Sequence, residues 1–252
     1  MAIDELTRRL DELRQQLDRL PETAEPPPTT LQLLGRNRQE GDWQRLLAYF
    51  LDPAAPHRLN HAALEQFLRG LQSRDDLSFQ FSRFDLETVQ VATEIPVPDG
   101  RVDLLVWCEE KWLILCELKI DAAEGDGQTR KYATAETFQN VDLDPAAVAD
   151  SRRHYLFVTP DGSRPESEAF AALEWSWIAS QLRAVLESDY GSYPVRTTSQ
   201  LDDFVDTIET ELTMTAHERN EAAKAELYVD YYDEVAEITS AFETEWEDLI
   251  DN

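Results

Sequence analysis

Two apolar runs, separated by a short polar break, constrain this chain more than any other feature. Residues 101–107 read RVDLLVW and residues 112–120 read WLILCELKI, with Glu109, Glu110 and Lys111 between them. Short runs rich in Val, Ile, Leu and Trp, this close together, predict a β-hairpin. Strand side chains alternate between faces. Glu117 and Lys119 therefore share a face with Leu113 and Leu115, while Trp112, Ile114, Cys116, Leu118 and Ile120 take the other. An antiparallel partner in suitable register brings Asp103 onto the Glu117 face. Leu105, Leu113 and Leu115 predict that this face is mostly buried, where unpaired charge is costly. The alternative, a solvated Glu117–Lys119 ion pair, requires those leucines to be exposed. Two buried carboxylates repel one another. A divalent cation removes the repulsion, and Mg²⁺ takes oxygen ligands, one or two carboxylates among them. A lysine alongside stabilises developing negative charge or orients an attacking water.

The order of parts around the hairpin is more specific than any one of them. Asp103 follows a Gly100-Arg101 turn, and Glu117, Leu118 and Lys119 form E-x-K. A helix expected from near Gly127 carries Gln128 and Tyr132, which at i and i+4 share a face. This four-part arrangement resembles the PD-(D/E)XK nuclease superfamily, whose exonuclease-like branches add a Q-x-x-x-Y element. Upstream, Glu40, the segment LAYFLDP at 47–53 and His57 resemble the N-terminal pattern of one family within it. The likeness runs from about residue 40 to residue 212.

The resemblance implies an α/β fold with a mixed sheet, a restriction-endonuclease-like core flanked by helices. It implies Mg²⁺-dependent hydrolysis of phosphodiester bonds in nucleic acid, DNA foremost, with Mn²⁺ as a substitute ion. Metal ligation then falls to Asp103, Glu117, the Leu118 carbonyl and Glu40, with Asp42 as the fallback acid. Asp103, Glu117, Lys119, Gln128 and Tyr132 take the catalytic roles. Glu94 is a secondary candidate, though a solvent-facing strand end explains it as well. Arg130, Lys131, Arg152 and Arg153 are the basic groups expected to meet backbone phosphates. The rival reading is a nuclease fold without catalysis, kept as a binding or scaffold module and assembled through its N-terminal helix.

Outside the likeness, Ile3, Leu6, Leu10, Leu13, Leu17 and Leu20 alternate spacings of three and four, a heptad stripe. Residues 1–20 are thus expected to form an amphipathic helix. It either pairs with a second copy, giving a homodimer through residues 3–20, or packs back on the body. The run PETAEPPPTT at 21–30 reads as a linker, leaving 31–252 as the nuclease-like domain with a C-terminal helical extension. Helices are expected at 41–50, 60–71, across 178–186, at 199–214 and at 219–249. Strands are expected within 84–97, at 154–159 and around 173–175. His57 and His61 are four apart, but His57 falls in a loop and is expected to hydrogen-bond structure rather than metal.

The chain carries 51 acidic and 23 basic residues, a net charge of −28, and only four lysines. Its aromatic content argues against disorder. An acidic, Lys-poor surface is the one expected of a cytoplasmic protein from a halophilic archaeon. Cys108 and Cys116 are expected to be buried free thiols, and two cysteines cannot supply four thiolates to an iron–sulfur cluster. The charged N-terminal stretch is unlike a signal peptide, and no apolar run has the length of a membrane span.

Overall fold

The computed structural model describes residues 3–17, 19, 27–189, 192–213, 224–225 and 227–240. Leu20, residues 21–26 of the Pro-rich stretch, and 219–223, 226 and 241–249 of the expected last helix lie outside the described residues. The chain divides into two compact units, Pro28–Thr213 and a second made of Met1–Pro27 with Met214–Asn252.

The larger unit is built on the predicted hairpin. Strands β2 (Gly100–Cys108) and β3 (Trp112–Leu118) pair antiparallel, with Leu104 opposite Cys116 and Cys108 opposite Trp112. Strand β1 (Val89–Val97) pairs antiparallel on the other side of β2. Strands β4 (Arg153–Thr159) and β5 (Phe170–Glu174) run parallel to β3, completing a five-stranded mixed sheet in the order β1-β2-β3-β4-β5. All seven residues of β3 are buried, as a central strand covered on both faces must be.

Helices supply those covers. Four of them, α3 (Glu40–Leu51), α4 (Ala62–Gln72), α6 (Trp175–Asp189) and α7 (Val195–Glu211), pack Trp43, Phe67, Ile178 and Phe204 toward Leu104, Val106, Ile114 and Cys116. On the opposite face, Tyr132 of the short α5 (Gln128–Ala133), with Phe138, Leu143 and Val148, meets Leu105, Leu113, Leu115 and Phe157. A single turn, α2 (Thr30–Leu33), is tied to α7 by the Thr30 N–H on Asp203. Cys108 and Cys116 are buried and free.

Strand alternation breaks at one place. Leu105 and Trp107 face α5, yet so does Val102, three residues before Leu105; Ile95 and Val97 on β1 shift with it. The break centres on Glu94, whose φ of +55° lies in the left-handed region non-glycine residues seldom adopt. The register sets Glu94 opposite Asp103.

The first sheet strand, β1, falls within the expected 84–97. Residues Arg83–Thr88 form a 3₁₀ helix. The Ser82 hydroxyl accepts the Phe84 N–H, and the Asp85 carboxylate accepts the Ser82 N–H at 2.9 Å. Lys111 Nζ and Trp112 Nε1 also reach Asp85, at 2.7 and 3.1 Å.

In the second unit, α1 (Ile3–Leu17) meets residues 227–240, helical on either side of a turn at Tyr231. The Arg9 guanidinium lies 4.4 Å from the Tyr231 ring centroid and 2.7 Å from Glu234, and Gln16 donates to the Tyr231 hydroxyl at 2.8 Å. Tyr231 and Glu234 are buried. Among the described residues, no helix is long and apolar enough to cross a membrane.

Candidate active site

Beyond Leu118 the chain is held on both sides. The Lys119 N–H donates to the Val158 carbonyl at 2.8 Å, and the Lys119 carbonyl accepts the Trp175 indole N–H at 2.8 Å. This grip lets the Lys119 side chain return to the α5 face, where Nζ stands 2.6 Å from Glu117 Oε1. Asp103 comes in from β2, and its Oδ2 accepts the Leu118 N–H at 2.8 Å. The three residues that alternation assigned to one face are therefore together.

Helix α5 closes the group. Gln128 Nε2 donates to Glu117 Oε1 at 2.5 Å and also lies 3.2 Å from the Tyr132 hydroxyl, while its Oε1 accepts the Gly125 N–H at 3.2 Å. The Tyr132 hydroxyl donates to the Arg101 carbonyl at 2.8 Å and accepts the Arg101 N–H at 3.2 Å. A Cβ on Gly100 would fall 2.8 Å from that hydroxyl oxygen, so only glycine fits. Tyr132 thus ties α5 to the turn from which Asp103 extends.

Glu117 is fully buried, Lys119 nearly so, and Asp103 half-buried. Burial, then the charge of Asp103, pushes the Glu117 carboxyl up to about 8. Burial likewise pushes Asp103 up to about 6, against the pull of the Leu118 N–H and Lys119. Burial works against the Lys119 ammonium, but Glu117 beside it wins and raises Lys119 above its ordinary value. No donor is directed at Glu117 Oε2. A proton on one of the pair relieves their repulsion; a cation would do so equally. Among the described residues no three His, Cys, Asp or Glu side chains form a metal-holding group. The fit is to an ion that accepts few carboxylates and keeps water or substrate oxygens, which is the habit of Mg²⁺.

Glu40, at the start of α3, accepts the Ile120 N–H at 3.2 Å, and its charge helps to raise Asp103. Asp42 is engaged elsewhere, by Arg36 at 2.5 Å and Arg45 at 3.0 Å. Glu94 lies 3.7 Å from Arg101. His57 is structural: Nδ1 accepts the Leu59 N–H at 2.9 Å, so Nε2 carries the proton and donates to the Asp52 carbonyl at 2.8 Å. His61 precedes α4 without a capping bond from its side chain.

The basic candidates divide. Arg130 and Lys131 are exposed on α5, Arg130 at 3.7 Å from Glu166 and Lys131 on the Asp126 carbonyl at 2.8 Å. Arg152 and Arg153 are not brought to the carboxylates. Arg153 pairs with Leu113, five positions before Leu118 on the parallel register, about 16 Å away at the strand rise. Arg152 donates to the Lys111 carbonyl at 3.3 Å, and Arg153 to the Val148 carbonyl at 2.9 Å.

Sequence reasoning missed Trp175, which holds Lys119 through its backbone, and Glu124, which accepts the Thr129 N–H at 2.9 Å and the Glu166 N–H at 2.7 Å. An acid just ahead of a helix was a visible capping signal for Glu124; nothing local marked Trp175.

A family model described as the PD-(D/E)XK nuclease superfamily matches residues 29–233. No curated protein and no solved structure matches the chain.

Proposed function

Because the chain belongs to the PD-(D/E)XK nuclease superfamily, we propose that its buried carboxylate pair serves metal-dependent hydrolysis of phosphodiester bonds in nucleic acid, DNA foremost. One observation carries the proposal. Glu117 is fully buried, with one oxygen held by Lys119 and Gln128 and the other facing no donor. Burying a carboxylate in this way is costly, and a structural role does not call for it.

Asp103, Glu117 and the Leu118 carbonyl are the groups that would hold Mg²⁺ or Mn²⁺, with Glu40, which accepts the Ile120 N–H, outside that set. Such an ion, when bound, supplies positive charge at the oxygens of the scissile phosphate. The side chains do the rest. Lys119 brings an ammonium to the same point, where it orients water and stabilises charge developing on the phosphoryl oxygens. Gln128 fixes the rotation of the Glu117 carboxylate by donating to one oxygen, leaving the other, buried, without a donor. The Leu118 N–H does the same for Asp103. Tyr132 positions rather than reacts, since both hydrogen-bonding roles of its hydroxyl are taken by Arg101.

The test is cleavage of linear, circular and single-stranded DNA by purified protein, with Mg²⁺ and with a chelator. Cleavage is expected with Mg²⁺ alone. Lys119→Met should keep the fold and lose about 10²-fold or more in turnover, the size of one lost charge-stabilising group. Turnover within a few-fold of the parent, or undiminished cleavage in chelator, would refute the assignment.

A further inference from the structure

A cleft of ≈ 450 Å³ opens beside Lys119, between residues 119–124 and the loop 159–164. That volume falls within the roughly 300–1,000 Å³ typical of small-molecule pockets, so it suits one nucleotide rather than a length of strand. Its far wall is fixed. Ser163 N–H donates to the Thr159 hydroxyl at 2.9 Å, Glu166 N–H to Glu124 at 2.7 Å, and Ser167 N–H to the fully buried Thr129 hydroxyl at 3.0 Å. The loop carrying Arg164 is therefore stitched to the helix carrying Gln128.

The charges in the cleft are unequally committed. Asp121 meets Arg38 at 2.6 Å, Glu124 accepts the two N–H groups already described, and Asp161 accepts the Ser163 N–H at 3.1 Å. Arg164 lines the cleft, is exposed, and has no hydrogen bond or ion pair with any described residue. In a chain of net charge −28, most arginines of the larger unit are engaged by carboxylates or carbonyls. One left uncommitted beside Lys119 is a guanidinium available to a ligand, and guanidinium groups favour phosphate.

We infer that this cleft is a subsite for the nucleotide next to the scissile bond, with Arg164 holding that nucleotide's phosphodiester. The ligand class is a polynucleotide strand, and the inference rests on the nuclease reading above. It separates two tasks: Lys119 acts on the phosphate that reacts, and Arg164 on its neighbour, which does not.

Two substrates distinguish these tasks. Bis(4-nitrophenyl) phosphate is a phosphodiester with no second phosphate; a fluorescein-labelled single-stranded DNA oligonucleotide has many. Arg164→Ala is expected to raise KM for the oligonucleotide about tenfold, the effect of one charge-assisted hydrogen bond. Its kcat should hold, its turnover of bis(4-nitrophenyl) phosphate should match the parent, and Arg164→Lys should recover part of the loss. An unchanged oligonucleotide KM overturns the inference. So does an equal loss on both substrates, which would assign Arg164 to the fold. If the parent hydrolyses neither, the nuclease reading fails, and fluorescence anisotropy of the oligonucleotide decides the subsite separately. Weaker binding by Arg164→Ala than by the parent supports it, and equal affinity, or none in the parent, overturns it.

Discussion

Replacing Glu117 with Gln should stabilise the metal-free protein, and by an amount that depends on pH. The Glu117 carboxyl moves from 4.5 to about 8 on folding, chiefly through burial. A carboxyl raised in this way binds its proton more tightly when folded. The native state is therefore favoured while the proton is present, and the advantage is lost as pH climbs from about 4.5 to about 8. The full exchange is on the order of 5 kcal/mol. Asp103, raised to about 6, titrates with it as a pair, so the loss is spread across the window. The amide introduced by Glu117→Gln would keep an acceptor for Lys119 and offer a donor where Glu117 Oε2 has none. The assay is thermal melting of parent and Glu117→Gln in chelator, from about pH 5 to about pH 9. Comparing the two removes the pH response common to the rest of this acidic chain. The midpoints should nearly coincide at the acid end. They should part by on the order of 10 °C at the alkaline end, at roughly 2–4 °C per kcal/mol for a chain of this size. Mg²⁺ should recover much of the parent's alkaline loss and leave the variant unmoved. A difference between the two that does not change with pH would refute the reasoning.

His57→Ala should cost roughly 2–4 kcal/mol in urea melts, since it removes two hydrogen bonds and a buried, packed ring; altered Mg²⁺ affinity at unaltered stability would show a metal role instead. Deleting residues 1–27 alone should expose Tyr231 and promote aggregation, whereas a chain of residues 28–213 should melt cooperatively near the parent temperature; a large loss there would mean the smaller unit supports the larger. Cleavage should rise from low KCl toward molar KCl with Mg²⁺ fixed. At molar salt the Debye length falls to about 3 Å, and repulsion between a chain of −28 and a polyanion is screened. A folded protein whose activity falls steadily with salt would instead follow ordinary counterion release.

What the sequence disclosed was local, and what it hid was directional. The hairpin, the shared face of Glu117 and Lys119, and the Gln128–Tyr132 pair depend on spacings of two and four, which are written in consecutive residues. The direction of β4 is not. Residues 154–159 read as a buried strand either way, but only the parallel register carries Arg152 and Arg153 to the end of β3 remote from Lys119. The kink at Glu94 was equally hidden, because a left-handed φ on a glutamate leaves no mark in an alternating pattern. The Ser82–Asp85 capping pair sets residues 83–88 in a 3₁₀ helix ahead of the strand, where Phe84 is 86% exposed. Glu40 was found by likeness rather than by chemistry, since an acid at a helix start is ordinary.

The pairing of α1 with residues 227–240 sets a schedule for the newly made chain. Arg9 and Glu234 are 225 positions apart. At roughly 5–20 residues per second of synthesis, the leucine-faced helix is outside the ribosome for about 10–45 s before its partner exists. Everything in Pro28–Thr213 is made in that interval and can fold first. The smaller unit is thus assembled late, after the larger has been made. For those seconds α1 is an exposed apolar stripe, open to a chaperone or to the same stripe on a neighbouring nascent chain.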